Sequence, residues 1–283
     1  MAHWLAAAAL AIVVPGMLHA EDDGPRLQFV DQGATLRSLD LAALREHCAE
    51  RRVEVDDPYY ERAMVFRALP LPCVLELGFG TSAEVLASDD FSLIALDGYM
   101  RPSTGGQLAE RGGHLAFADA ALTPEGVAPR FAPITRRALD PAPFYLIWSE
   151  PGQNDPHRYP WPFQLATIER VPFERRHPHT LPAGEAEGSP AWLGFAVFRS
   201  QCVMCHSING EGGKVGPELN VPRSIVEYRP IEQLKRFIRD PQSFRYTTMP
   251  SHAQLSEAEL DALIAYFRAM SGRKHDPRAA RLP

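Results

Sequence analysis

The sequence predicts a two-domain chain, an α+β domain followed by an all-α domain. Three observations carry that expectation. Segment 172–190, PFERRHPHTLPAGEAEGSP, gathers Pro172, Pro178, Pro182 and Pro190 with Gly184 and Gly188 and little apolar content, which is the composition of a linker. Upstream of it short helical and strand patterns are mixed, whereas downstream the apolar spacing is helical throughout. The charge also changes sign there. Residues 190–283 hold 13 Lys+Arg against 9 Asp+Glu, a net of +4, while the whole chain carries −6, which leaves −10 on residues 1–189. The expected layout is residues 21–171 for the first domain, 172–189 for the linker, 190–273 for the second domain and 274–283 for a tail.

Ahead of the first domain, an apolar run from Trp4 to Val14, a Pro15-Gly16 break and His19-Ala20 before acidic Glu21-Asp22-Asp23 read as a secretory signal peptide over residues 1–20. The run is much shorter than the roughly 20 residues needed to span a bilayer. Its n-region has no Lys or Arg, and Leu18 stands where a small residue is preferred. The mature protein is expected in the periplasm with no membrane span and no nucleic-acid partner.

In the first domain, Leu39 to Cys48 reads as a helix behind Ser38 and Asp40 as candidate N-caps. Val53 and Val55 alternate with charges before the Asp57-Pro58 turn, and Met64 to Ala68 is extended. Leu71 to Leu77 reads as a short helix closed by Gly78. Phe91 to Leu96 and Phe144 to Trp148 are apolar enough for buried strands. In the second domain, Trp192 to Gln201, Pro230 to Arg239 and Ser256 to Met270 are helices, the last opened by a Ser256/Glu259 capping box. The Gly- and Pro-rich stretch between His206 and Val226 reads as loop.

Cys202-Val203-Met204-Cys205-His206 is the Cys-x-x-Cys-His attachment signature for c-type haem. Two thiols one helical turn apart can form thioethers to the two vinyl groups of one macrocycle, and the adjacent histidine then faces the iron. A thioredoxin-like redox pair would follow a strand in a βαβ unit, and a zinc site would bring further ligands at matched spacing. Neither context is present. One covalent haem c is therefore expected, and the function that follows is single-electron transfer with redox protein partners rather than catalysis. The rival is an enzyme whose first domain oxidises a small substrate and passes electrons to the haem.

Around this motif the sequence resembles class I c-type cytochromes over about residues 190–273. Gly194 and Phe198 precede Cys202 at one-turn intervals, Gly216-Pro217-Glu218-Leu219 resembles the family's Gly-Pro-x-Leu loop, Thr247-Thr248-Met249-Pro250 resembles its distal-ligand loop, and Leu260, Leu263, Ile264, Tyr266 and Phe267 resemble its last helix. The resemblance implies His206 as proximal ligand, the Pro217 carbonyl accepting its second N–H, Met249 as the other axial ligand, and a crossing of first and last helices near Gly194. Met204 lies inside the attachment turn, and Met270 is expected in the core or on the surface. His252 is the competing donor and is expected as an exposed loop residue. Lys214, Arg223, Arg229, Lys235, Arg236, Arg239 and Arg245 form a candidate basic face for an acidic partner.

The first domain resembles sulfite-oxidase-type molybdopterin domains over about residues 35–171, through VFRALPLPCVLEL at 65–77, Ala95-Leu96-Asp97-Gly98-Tyr99 and Phe144 to Trp148. Where that family's metal-binding cysteine stands, this chain has Asp56-Asp57-Pro58-Tyr59-Tyr60, so no cofactor is expected here. The remaining Cys48 and Cys73 either pair, tying two helices together, or stay as buried thiols. Arg176-His177-Pro178-His179 has a His-x-His spacing but no obvious third metal ligand. The aromatics Trp148, Tyr159, Trp161 and Phe163 are expected to pin an irregular segment to the core. Asp97 and Glu76 lack a partner base or nucleophile.

Overall fold

The computed structural model describes residues 24–134 and 138–279. The signal-peptide reading and the last residues of the tail lie outside them. The first domain is built on two sheets. One is mixed, in the order β2-β1-β9-β5-β6, from β1 (Arg26–Asp31), β2 (Ala34–Asp40), β5 (Asp90–Ala95), β6 (Met100–Thr104) and β9 (Leu165–Arg170). Only the β1/β9 pair is parallel. The other is antiparallel, in the order β3-β4-β7-β8, from β3 (Arg51–Asp57), β4 (Arg62–Pro70), β7 (Gly113–Asp119) and β8 (Tyr145–Trp148). Their helices are α1 (Leu41–His47), α2 (Leu71–Phe79) and the short α3 (Ala83–Leu86) and α4 (Gly105–Leu108).

Local chemistry explains most boundaries. Asp40 caps α1 by accepting the Ala43 N–H at 2.7 Å. Helix α2 runs past the expected stop at Gly78 and is closed by Gly80, whose φ of +68° favours glycine. Gly78 is instead buried where a Cβ would collide with the Phe29 ring, so its small size lets α2 lie on β1. Leu39 belongs to β2 rather than to a helix. Cys48 and Cys73 form a disulfide with Cα atoms 5.9 Å apart, joining the end of α1 to α2. The expected aromatic pinning is present: the Trp148 indole donates to the Pro160 carbonyl at 2.6 Å and the Trp161 indole to the Gln153 carbonyl at 3.0 Å. Asp97 accepts the Tyr99 N–H to shape a turn, and Glu76 accepts the Ala83 N–H at the start of α3.

The segment expected as a linker is packed. It forms α5 (Phe173–Arg176) and a 3-10 turn at Pro178–Thr180, with Phe173, His177 and Thr180 buried. Phe173 meets Phe195, and the Thr180 carbonyl accepts the Tyr266 hydroxyl at 2.7 Å. The two histidines of the His-x-His motif diverge. His177 is buried against Phe173, while His179 stacks on His275 and pairs with Glu211. The second domain is helical: α6 (Pro190–Gln201), α7 (Ile225–Tyr228), α8 (Ile231–Arg239) and α9 (Glu257–Ser271), with a two-residue β10/β11 ladder at Ser207–Ile208 and Glu211–Gly212. Ser256 and Glu259 form the predicted capping box of α9. No helix among the described residues is long and apolar enough to cross a membrane.

Two measurements test this packing. The disulfide closes a 25-residue separation, so Cys48→Ala/Cys73→Ala is expected to lower the urea midpoint by the equivalent of about 3 kcal/mol. Burial, then the nearby Arg176 charge, pulls His177 down to about 4, below its unfolded value of about 6.5. Between those limits the unfolded chain holds more protons. Stability is therefore intact above pH 6.5 and is lost as pH falls toward 4. Urea titrations at pH 7.5 and pH 5 are expected to show about 2 kcal/mol of acid sensitivity in the wild type that His177→Leu removes.

Candidate functional site

The site begins where α6 ends. Helix α6 crosses α9 with no room for a side chain at Gly194, where a Cβ would land on the Ala262 carbonyl. Phe198 packs on Tyr266 and Phe267 one turn later, fixing the register of the crossing. The chain then leaves the helix in a tight turn. The N–H groups of Cys205 and His206 both donate to the Cys202 carbonyl, at 3.1 and 2.9 Å, which holds the two cysteines and the histidine on one turn. Cys202 and Cys205 lie outside any disulfide. Burial pushes the Cys202 thiol up to about 12, with Cys205 adding to the shift. A reactive thiolate pair needs the opposite displacement.

His206 is held from one side only. Its Nδ1 donates to the Pro217 carbonyl at 2.8 Å, which leaves Nε2 as the donor nitrogen. Burial lowers its proton affinity, partly opposed by the Pro217 bond and Glu218, so the ring is kept neutral as a metal ligand requires. Pro217 is held in turn. The Glu218 carboxylate accepts the N–H groups of Asn209 at 2.9 Å, Gly210 at 2.9 Å and Asn220 at 2.8 Å. Asn220 donates to Asn209 and to the Met270 carbonyl, fastening the loop to α9. In sequence nothing marks this role for Glu218 and Asn220, since the Gly-Pro-x-Leu pattern leaves position 218 open.

The distal segment has no regular structure. Met249 is partly buried against the helical core, and its N–H donates to the Thr247 hydroxyl at 3.2 Å. His252 is not the expected exposed residue. It is buried at 6% exposure, its N–H donates to the Ile238 carbonyl, and its Nδ1 has no partner. Burial first, then the charges of His157 and His206, draws it down to about 4. Met270 lies in the core. Of the basic residues proposed for a partner face, Lys235 is engaged by Glu257 and Asp261 and Arg239 by Glu257. Arg229 and Arg245 lie over the Phe237 ring.

A family model described as Cytochrome c matches residues 191–271, from the second residue of α6 to the end of α9. Residues 191–271 are a cytochrome c domain. The cytochrome c oxidase subunit 2 of Alkalihalophilus pseudofirmus is 36% identical over an 85-residue alignment that covers 27% of this chain and 25% of that protein. The match thus spans about a quarter of that relative's length. A cytochrome c domain carries covalently attached haem c, and the residues described above suit it: two cysteines on one turn, a neutral histidine with Nε2 unengaged, and a rigid carbonyl behind it. Haem-based electron transfer is the activity that such a domain supports. The α+β first domain and the all-α cytochrome c domain together give the two-domain architecture expected from sequence.

Gly216 sits against the His206 ring, where a Cβ would approach Cε1 to 2.5 Å. Gly216→Ala is expected to turn the imidazole and weaken its bond to Pro217, lowering the stability of the holoprotein by about 1–3 kcal/mol. Thermal unfolding followed through haem absorbance measures it.

Proposed function

We propose that the protein is an exported, single-electron carrier in which one haem c is attached at Cys202 and Cys205, ligated by His206 and Met249, while the first domain serves as the docking module for its redox partner. The observation that carries this reading is the His206 Nδ1 bond to the Pro217 carbonyl at the attachment turn. Held by both His206 and Met249, such a haem would supply single-electron transfer and leave no position for oxygen chemistry. The chain's own residues then have simple tasks. The Pro217 carbonyl holds the orientation of His206 and strengthens its donation. Glu218 keeps that carbonyl in place, and Met249 lies on a segment that no helix constrains. The Met-Pro context favours Met249 over His252, and a thioether there would give a higher potential than two histidines.

Support for a docking role comes from the packed junction. The Met100 N–H of β6 donates to the Met204 carbonyl at 3.0 Å, and the Lys214 N–H donates to the Gly98 carbonyl at 3.1 Å. The first domain therefore bears directly on the cytochrome domain. That the matched relative is named a subunit of a cytochrome c oxidase is in keeping with a cytochrome domain that works beside a partner. The sulfite-oxidase-type resemblance is retained for the first domain as a scaffold without the molybdenum ligand.

Purified protein from a periplasmic fraction is expected to contain one haem iron per chain and no molybdenum or pterin. Stoichiometric molybdenum would establish the rival enzyme reading. Ferric protein should show a sulfur-to-iron charge-transfer band that Met249→Ala abolishes and His252→Gln leaves in place; its absence from the wild type overturns the Met249 assignment.

A further inference from the structure

The contact between the two domains contains a cation with no counter-charge. Arg101, on β6, is only 9% exposed. Its Nη1 lies 2.7 Å from the Met204 sulfur and its Nη2 donates to the His157 carbonyl at 3.0 Å. Among the described residues no carboxylate pairs with it. Three partly covered arginines of the first domain and the segment after it are matched by contrast: Arg67 with Glu50, Arg170 with Asp31 and Arg176 with Glu169. Burial of a cation against a thioether and a carbonyl, with only dipoles around it, costs free energy that a carboxylate would have recovered. Its position is nonetheless fixed by backbone. Arg101 pairs with Leu93 across β5/β6, and its neighbour Met100 donates to the Met204 carbonyl. Tyr99, on its other side, directs its hydroxyl to the same sulfur at 3.5 Å.

Met204 is one of the two residues between the attachment cysteines. The guanidinium therefore sits on the turn to which the macrocycle is joined, on the side facing the first domain. Oxidation of the iron adds one positive charge to the haem. A fixed cation nearby, poorly screened because water is excluded, opposes that addition.

We propose that Arg101 of the first domain is a positioning residue for redox potential, its unpaired charge holding the haem of the second domain more readily reduced than the cytochrome domain would hold it alone. The inference rests on residues 202–206 being the haem attachment turn. It gives the first domain an electrostatic part in the redox site, beyond docking.

The test compares midpoint potentials of the full-length holoprotein by spectroelectrochemical titration, at low salt and at 1 M salt, for wild type, Arg101→Gln, Arg101→Lys and Tyr99→Phe. Arg101→Gln is expected to lower the ferrous-to-ferric ratio at a fixed poise by roughly tenfold, with the difference surviving in 1 M salt. Arg101→Lys keeps the charge and is expected to stay near wild type. Tyr99→Phe removes the other polar contact to the same sulfur without changing charge, and its potential should also stay. Loss of an equal amount in the Lys and Gln variants assigns Arg101 to packing and overturns the proposal, as does an unmoved Gln variant. Should Arg101→Gln fail to fold, Arg101→Met keeps most of the side chain's length without its charge, and an unmoved potential in that variant overturns the proposal while a lowered one supports it. A product without covalent haem refutes the attachment reading instead, so the two failures are told apart.

Discussion

Helix α6 can deliver its last turn to the loop of residues 207–220 only because it has no side chain where it meets α9. At Gly194 the two backbones come close enough that even a methyl group would strike the Ala262 carbonyl. The direction of the Cys202–His206 turn depends on that approach. Phe198, one turn later, is clasped by Tyr266 and Phe267, so the direction in which α6 ends is set. The turn of Cys202 to His206 then lies against a loop that is itself fastened to α9 through Asn220 and Met270. A single crossing thus aligns the attachment turn and the carbonyl that orients its histidine.

The parts of this arrangement that were legible in sequence are those with local causes. The capping box of Ser256 and Glu259, the Asp40 cap and the attachment motif each act over a few residues and read directly. Strand β7 is hard to read because, although it is buried on both faces, its apolar run is only Leu115 to Ala118, bracketed by His114 and Asp119. The hairpin of β1 and β2 was missed at Gln32-Gly33, whose positive φ values of 50° and 90° make a tight turn without the usual Asn-Gly signal. Segment 172–189 has linker composition, yet Phe173 and His177 supply enough apolar surface to seat it in the second core. The exposure of His252 was misjudged for a related reason, since its fate is decided by the Ile238 carbonyl and by packing from elements distant in sequence.

The junction between the domains shows the same limit in sharper form. Arg101 and Met204 are 103 residues apart, and neither stands in a pattern that would suggest the other. Asp97-Gly98-Tyr99 has a local cause by contrast, Asp-Gly being a turn former. The structure uses that turn twice. Asp97 and Gly98, with φ at +87°, fold it back, and its carbonyl and the following strand then grip the cytochrome domain at Lys214 and Met204.

The opposite net charges of the two domains take on a specific meaning at this contact. Residues 1–189 carry −10 and residues 190–283 carry +4, so ion pairs are expected where the two parts meet, and at the periphery Arg199 reaches Asp90 and Glu174. Close to the attachment turn the order is reversed. The acidic domain presents a buried arginine, and the basic domain answers with a sulfur and no carboxylate. Peripheral pairs are exposed and contribute little to stability, so they give the meeting of the domains its orientation. The central contact, which forgoes a counter-charge, is where the first domain acts on the electrostatics of the second.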